Sequence, residues 1–396
     1  MTERVRQPID EVALARYLST AVPSIPRPLT ITQFGFGQSN PTYLLTHTPA
    51  SSSGRPCRYV LRKKPPGALI SKTAHKVERE YRVLSALSSL PLRPVPVPTT
   101  YCLCEDVSVI GTPFYIMEFL DGRIFEEFLM PSVLEPDVRS AMWKDAVRVM
   151  ASLHAVDLRT ANLETFGKPD GFYKRQVATW SQICAAQARV VDVETGETVG
   201  ELPHMKELMA YFADPKNQPR DRAGLVHGDF KIDNLVYSHG GPNIIGVLDW
   251  EMSTIGHPLS DLCNFLTKFA LAGLPDVLTS VGLKLEDIRL LTNNNFAATP
   301  DPGFLPGATP GLPTIEDIVQ WYAGLSGYDP RIGNELAYGM AFNIFRLAAI
   351  CHGIAARYAK RQASSAKAKE NSEQRYMMAE FAWALVLLAK KDKEKL

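Results

Sequence analysis

The stretch "LVHGDFKIDNLV", Leu225 to Val236, sets one histidine, two aspartates and one asparagine inside an otherwise apolar run. The apolar residues at each end read as strand and the polar cluster between them as a turn. Such a cluster has two explanations. Short polar side chains can satisfy the backbone of their own turn, or they can be presented to a ligand from a loop held by rigid neighbours. The surrounding chain decides between them.

Immediately downstream, "LVYSHGGPNIIGVLDWE" (235–251) reads as strand, Gly-Pro turn and strand, ending in Asp249. Asp229 and Asn234 have the D-x-x-x-x-N spacing of phosphoryl-transfer catalytic loops. There the Asp accepts the proton of the acceptor hydroxyl and the Asn holds Mg2+. A second metal-binding carboxylate is then required at the end of a short hairpin, which is where Asp249 stands. Mg2+ takes few carboxylates and fills its shell with phosphate oxygens and water, a demand that Asn234 with Asp249 meets. His227 reads as a core histidine orienting the loop, and Asp233 as a local turn former. Asp261, in "GHPLSDLCNFL", reads as a cap or as a brace for the loop. His154, near a helix end, reads as packing or capping.

Upstream, residues 29–120 are strand-rich with one inserted helix. "LTITQFGFG", "TYLLT" and "RYVLRK" alternate as strands, and further strands are expected at 101–104 and 114–119. In "FGFGQSNPTYLL", Gly35 and Gly37 would let the backbone approach a phosphate, with Ser39 and Asn40 adding donors. Alone, that loop reads more simply as a glycine hairpin. In "YVLRKK", Val60 and Arg62 share one face and Leu61 and Lys63 the other. On the helix "KTAHKVEREYRVLSAL", Glu80 lies three residues after Val77 and four before Leu84, on the apolar face. A carboxylate there needs a partner, and Arg62 is the obvious one; a purely structural ion pair or a snorkelling Glu80 would look the same.

After Asp121-Gly122 the pattern becomes helical, with long helices expected over 137–156, 338–361 and 373–390. The organisation expected is α+β and bilobal, with a small β-rich lobe over 1–120 and a larger helical lobe over 121–396. Lys and Arg number 43 against 42 Asp and Glu, so no charge footprint points to nucleic acid or an anionic membrane surface. No uninterrupted apolar run reaches the length of a membrane span. The six cysteines are scattered, Cys102 and Cys104 alternate as strand residues, and no signal peptide is visible. An intracellular setting is expected, cytoplasmic first, with peroxisome and mitochondrion left open.

These motifs together resemble the aminoglycoside phosphotransferase/choline kinase group, small-molecule kinases of protein-kinase-like fold. More narrowly, the chain is similar to the kinase-like domains fused to acyl-CoA dehydrogenases and to their free-standing relatives. The resemblance rests on "FGFGQSNPTYLL", "YVLRKKPPG", "EREYRVLSAL", "FYIMEFLDGRIF", "ASLHAVD", "GFYKRQVATW", "LVHGDFKIDNLVY", "VLDWEMSTIGHPLSDL" and "FNIFRLAAICHGIAAR". It implies an ATP- and Mg2+-dependent phosphotransferase with Asp229 as base and Asn234 and Asp249 as metal ligands. Gly35, Gly37, Gln38, Ser39 and Asn40 would then meet the nucleotide, Arg62 would contact phosphate while paired with Glu80, and the 118–120 backbone, Glu118 to Leu120, would meet adenine. Arg62 stands where the group often has Lys, which leaves Lys63 as a rival, and His257 stands where relatives commonly have Asp. The implied acceptor is a small-molecule hydroxyl, a hydroxyacyl-CoA foremost. Support from charge is the basic run 341–375, with Arg346, Arg357, Lys360, Arg361, Lys367, Lys369 and Arg375, although a solvated helix face explains that equally well. Alternatives are an aminoglycoside, choline or sugar kinase, and an inactive nucleotide-binding or scaffold module. A protein kinase is disfavoured because Asp249 is followed by Trp-Glu rather than Phe-Gly.

Overall fold

Alternating burial builds the first half of the molecule. In the computed structural model, which describes residues 2–3, 8–35, 40–49, 55–65, 76–284, 300–363 and 367–394, the chain divides into two compact units. The first comprises 1–125, 156–165 and 233–253, and the second 126–155, 166–232 and 254–396. The segment 233–253, which follows the "HGDFKI" loop, packs with the first unit.

The first unit begins with β1 (Thr2–Glu3), α1 (Glu11–Ala21), β2 (Thr30–Phe34), β3 (Thr42–His47) and β4 (Cys57–Lys63). It continues with α2 (Val77–Ser88), β5 (Thr100–Cys104), α3 (Val107–Ile110) and β6 (Phe114–Glu118). The six strands form one antiparallel sheet in the order β1-β2-β3-β4-β6-β5. One face carries Tyr43, Leu45, Leu61, Cys102, Cys104, Phe114 and Ile116, covered by Leu14 and Leu18 of α1. That helix is absent from the sequence reading; its signal was Asp10, whose carboxylate accepts from the Ala13 amide at 2.9 Å as an N-cap. Arg62 lies on the opposite face of β4, together with Val60.

In the second unit, α4 (Pro136–His154), α5 (Phe172–Ala188), α6 (Met205–Ala213) and β7 (Gly224–Val226) come first. Further on, β8 (Leu235–Tyr237) and β9 (Ile244–Val247) form the hairpin of the first unit. The second unit resumes with β10 (Thr254–Gly256), which pairs antiparallel with β7. Helices α7 (Leu259–Phe265), α8 (Thr267–Ala272), α9 (Leu274–Ser280), α10 (Ile315–Ser326), α11 (Glu335–Ala359) and α12 (Ala368–Glu394) complete it. Thr314 opens α10 with a capping box shared with Asp317.

The span Ile332–Ala359, which contains α11, is long and apolar enough by composition to cross a bilayer, and 72% of its most apolar window is buried inside the protein. Helices apolar on nearly all sides are what a protein core requires. Arg346 and His352 interrupt its apolar run in the sequence.

Candidate functional site

Two clusters of polar side chains stand out, one in each unit. In the first, β4 aims Arg62 at α2, where Glu80 occupies the buried stripe Val77, Glu80, Val83, Leu84 and Leu87. Arg62 Nη1 donates to Glu80 Oε1 at 2.7 Å, and Nη2 donates to Asp249 Oδ1 at 2.7 Å. Glu251 Oε2 stands 3.7 Å from the same guanidinium. Three carboxylates therefore share one cation. Burial raises the Glu80 carboxyl above its ordinary range, Arg62 pulls the other way, and Asp249 and Glu251 add to the rise.

Lys63 faces away from this cluster. It is buried, with Nζ 5.5 Å from the centroid of the Tyr43 ring, and burial lowers its pKa. Of the two candidate cations on β4, Arg62 is the one beside Asp249.

The β8–β9 hairpin positions Asn234 against Asp249. Leu235 pairs with Val247, and the Leu248 amide donates to the Asn234 carbonyl at 2.9 Å, so the residue before Asp249 is bonded to Asn234. Asp249 has the left-handed backbone φ 64°, ψ 62°. Outside glycine this conformation is costly, and Asn and Asp tolerate it best. Its carboxylate is 37% exposed, open enough to meet a ligand. The side-chain oxygens of Asn234 and Asp249 are of the kind that suits a hard divalent ion. Among the described residues, Glu251 Oε2 is shut off from solvent with no hydrogen-bond partner. The sequence reading passed over Glu251; its signal was its place two residues after Asp249.

Of the residues expected near adenine, Glu118 accepts the Thr99 amide at 3.0 Å through Oε2. Leu120 lies across Gly246, where a Cβ would collide with Leu120 Cδ1. Gly35 is exposed just after β2, and Asn40 is buried, its amide lacking a partner among the described residues. Gly37, Gln38 and Ser39 lie outside the described residues.

The second cluster surrounds Asp229. Asp261 is fully buried and accepts the His227 amide at 2.7 Å, the Gly228 amide at 2.8 Å and His154 Nε2 at 3.2 Å. His154 Nδ1 is 2.7 Å from the Tyr322 hydroxyl. The Asp229 amide in turn donates to His227 Nδ1 at 3.2 Å. Thus the backbone of the loop from His227 to Asp229 hangs on one carboxylate, and His227 and His154 act as braces. Gly228, with φ 85°, makes the turn that brings both amides to Asp261. Lys231, which the sequence reading also passed over, stands 3.3 Å from Asp229 Oδ2. His257 is buried, donates to the Arg220 carbonyl at 2.9 Å and accepts the Leu259 amide at 3.2 Å. Burial pushes its pKa down to about 4, so the ring is neutral at pH 7 and holds the turn into α7.

Burial alone would raise the Asp261 carboxyl, but its donors outweigh burial and hold it below the usual range. A group depressed in the folded state stabilises the fold above its unfolded pKa, near 4, and loses that contribution as pH falls through the folded value. Asp261→Asn, which cannot accept from all three donors, should cost about 3 kcal/mol. Denaturant unfolding at pH 7 should show that loss, and the gap to wild type should shrink below pH 4. A gap independent of pH would show that the carboxylate charge is not what holds the loop.

The basic run 341–375 is less basic than its sequence suggests. Arg346 turns toward the Gly228 loop, reaching Asn264 Oδ1 at 2.7 Å, and Arg361 is ion-paired with Asp192 and Glu194. Arg357, Lys360 and Lys369 remain exposed.

Comparison with known proteins bears on this arrangement. The model of the phosphotransferase enzyme family matches residues 30–281, which include Arg62, Glu80, Asp229, Asn234 and Asp249. The chain is 36% identical over 357 residues to acyl-CoA dehydrogenase family member 10 of Mus musculus, covering 90% of this chain and 29% of that protein. It is also 36% identical over 365 residues to acyl-CoA dehydrogenase family member 11 of Gallus gallus, covering 91% and 41% respectively. The chain thus spans less than half the length of either relative. Among solved structures, a candidate aminoglycoside phosphotransferase of Ralstonia eutropha JMP134 superposes with a TM-score of 0.73 at 31% identity, covering 97% of this chain and 99% of that one. The fold is the protein-kinase-like α+β fold of those enzymes, and with the family model matching well over half its length, the chain belongs to the phosphotransferase enzyme family.

Proposed function

We propose that this protein is an ATP- and Mg2+-dependent kinase that phosphorylates a hydroxyl group of a small molecule, a hydroxyacyl-CoA foremost. The observation that carries this reading is the grip of one guanidinium, Arg62, on both Glu80 and Asp249, beside a hairpin that joins Asp249 to Asn234. Asn234 and Asp249 would hold Mg2+, which would supply neutralisation of the phosphate charge. Arg62, oriented by Glu80, donates to phosphate oxygen, and Asp229 orients the acceptor hydroxyl and takes its proton. The acceptor oxygen bonds to the γ-phosphorus as the bond from the β–γ bridging oxygen to that phosphorus breaks, and ADP leaves with the bridging oxygen. The names of the relatives support an acyl-CoA acceptor, and the exposed Arg357, Lys360 and Lys369 suit a phosphate-bearing one.

The test is ADP release with 4-hydroxyacyl-CoA, the free hydroxy acid, choline and an aminoglycoside under matched conditions. Turnover of the thioester above the free acid is expected. Equal turnover would remove the coenzyme A part of the reading, and robust aminoglycoside turnover would replace it. No ADP release with any acceptor, alongside Mg2+-dependent thermal stabilisation by ATP, would identify a binding module instead.

The phosphate contact has its own prediction. Arg62→Ala should raise the apparent ATP constant about tenfold. It also leaves Glu80 buried without its cation, at a cost of about 3 kcal/mol in unfolding free energy. Lys63→Ala should leave the ATP constant unchanged, because that side chain lies on the far face of β4. The reverse pattern in ATP titrations would exchange the two assignments.

A further inference from the structure

Arg346 is an unusual residue for its place. It sits on α11, among Ala341, Phe342, Ile344, Phe345, Ala348 and Ala349, all buried. A guanidinium in such surroundings is costly to desolvate unless its hydrogen bonds are used. Among the described residues no carboxylate lies within ion-pair distance of it, and its Nε is shut off from solvent without a partner. The negative charges that act on it are those of Asp229 and Asp261.

Its fork is directed at the catalytic loop. Nη2 donates to Asn264 Oδ1 at 2.7 Å, and Nη1 approaches the Gly228 carbonyl at 3.5 Å. Asn264, on α7, then presents Nδ2 to the Phe230 carbonyl at 3.2 Å and to Asp229 Oδ1 at 3.4 Å. An asparagine amide has a donor side and an acceptor side that differ little in shape. With Oδ1 held by Arg346, only the donor side can face Asp229. Without Arg346 the acceptor side loses its donor, and besides Asp229 itself only the Phe230 carbonyl, at 3.2 Å, still favours this orientation of the amide.

We propose that Arg346 is a positioning residue for phosphoryl transfer: by fixing the Asn264 amide it orients Asp229, while Lys231 holds the other carboxylate oxygen. This rests on the reading of Asp229 as the base, so the experiment includes Asp229→Asn as its reference. ADP release from Mg2+·ATP is measured with water and with 4-hydroxyacyl-CoA as acceptors for Arg346→Gln, Arg346→Lys, Asn264→Ala, the Arg346→Gln/Asn264→Ala double variant and Asp229→Asn. Misplacing a reacting group by about 1 Å can cost roughly 100-fold, so kcat is expected to fall about 10- to 100-fold in Arg346→Gln and in Asn264→Ala, with the ATP KM within about twofold of wild type. The double variant should be no worse than either single one, because both break the same relay. Arg346→Lys, which can still reach Asn264 Oδ1, should recover part of the loss.

Wild-type kcat in Arg346→Gln and Asn264→Ala, with Asp229→Asn impaired, would overturn the relay and leave the base assignment standing. Losses that multiply in the double variant would overturn it too, by showing two separate roles. Wild-type kcat in Asp229→Asn would remove the base and the relay together. Should Arg346→Gln fail to fold, Asn264→Asp serves in its place: it retains an acceptor for Arg346 but has no donor for Asp229, and the same loss of kcat is expected.

Discussion

Replacing Asp229 by asparagine is expected to lower kcat about 10²- to 10⁴-fold, the usual range for loss of a general base, while nucleotide affinity stays close to wild type. The substitution preserves the shape of the side chain and its place in the loop. Asn264 and Lys231 each lose a carboxylate partner, but the backbone bonds from His227 and Gly228 to Asp261 do not involve the substituted atoms. Steady-state ADP release together with nucleotide titration separates the two effects. Retention of near wild-type kcat would mean that the acceptor proton goes elsewhere.

Asp249→Ala is the second large effect. It removes a carboxylate from the proposed Mg2+ site and one of the carboxylates that share Arg62, and turnover should fall by about 10³-fold or more. Part of any loss of stability in that variant comes from backbone, since alanine in the left-handed region costs about 1–2 kcal/mol. Asp249→Asn is therefore the cleaner variant, since it tolerates the same φ and loses only the charge. Turnover of wild type should rise with Mg2+ and saturate, whereas the asparagine variant should need far more of the ion. Free ATP should still raise the melting temperature of both variants modestly in the absence of metal. A wild-type rate indifferent to Mg2+ would remove the ion from the mechanism.

Asp229, Asn234 and Asp249 stood out in the sequence because they follow one another within one strand–turn–hairpin passage, where the spacing of polar residues can be read directly. Arg62 and Glu80 were legible for a different reason. Strand period fixed the face of the one and helix period the face of the other, and a buried carboxylate must find a cation. Asn264 and Arg346 were beyond reach because their meaning depends on how α7 and α11 pack against the loop, which no periodicity expresses. Arg346 even pointed the wrong way, since a run of basic residues reads as a solvated face until one side chain is seen turning inward. Helix α1 was missed because its Asp10 cap was not weighed against a weak apolar pattern, whereas α8 and α9 are short and have no side-chain cap to signal them.

The discontinuity of the first unit has a consequence for synthesis. Its sheet is complete at Glu118, yet Gly122 and Arg123 make their contacts with Val236 and Tyr237, and Val247 donates to the Pro96 carbonyl. A nascent chain that has emerged only through residue 125 thus lacks the segment 233–253 against which its last strand is finished. Until more than a hundred further residues have left the ribosome, the edge around 96–123 must wait uncovered, open to holdase chaperones and to proteases. Fragments ending at 125 should be captured by such factors, and fragments extended through 253 should escape them.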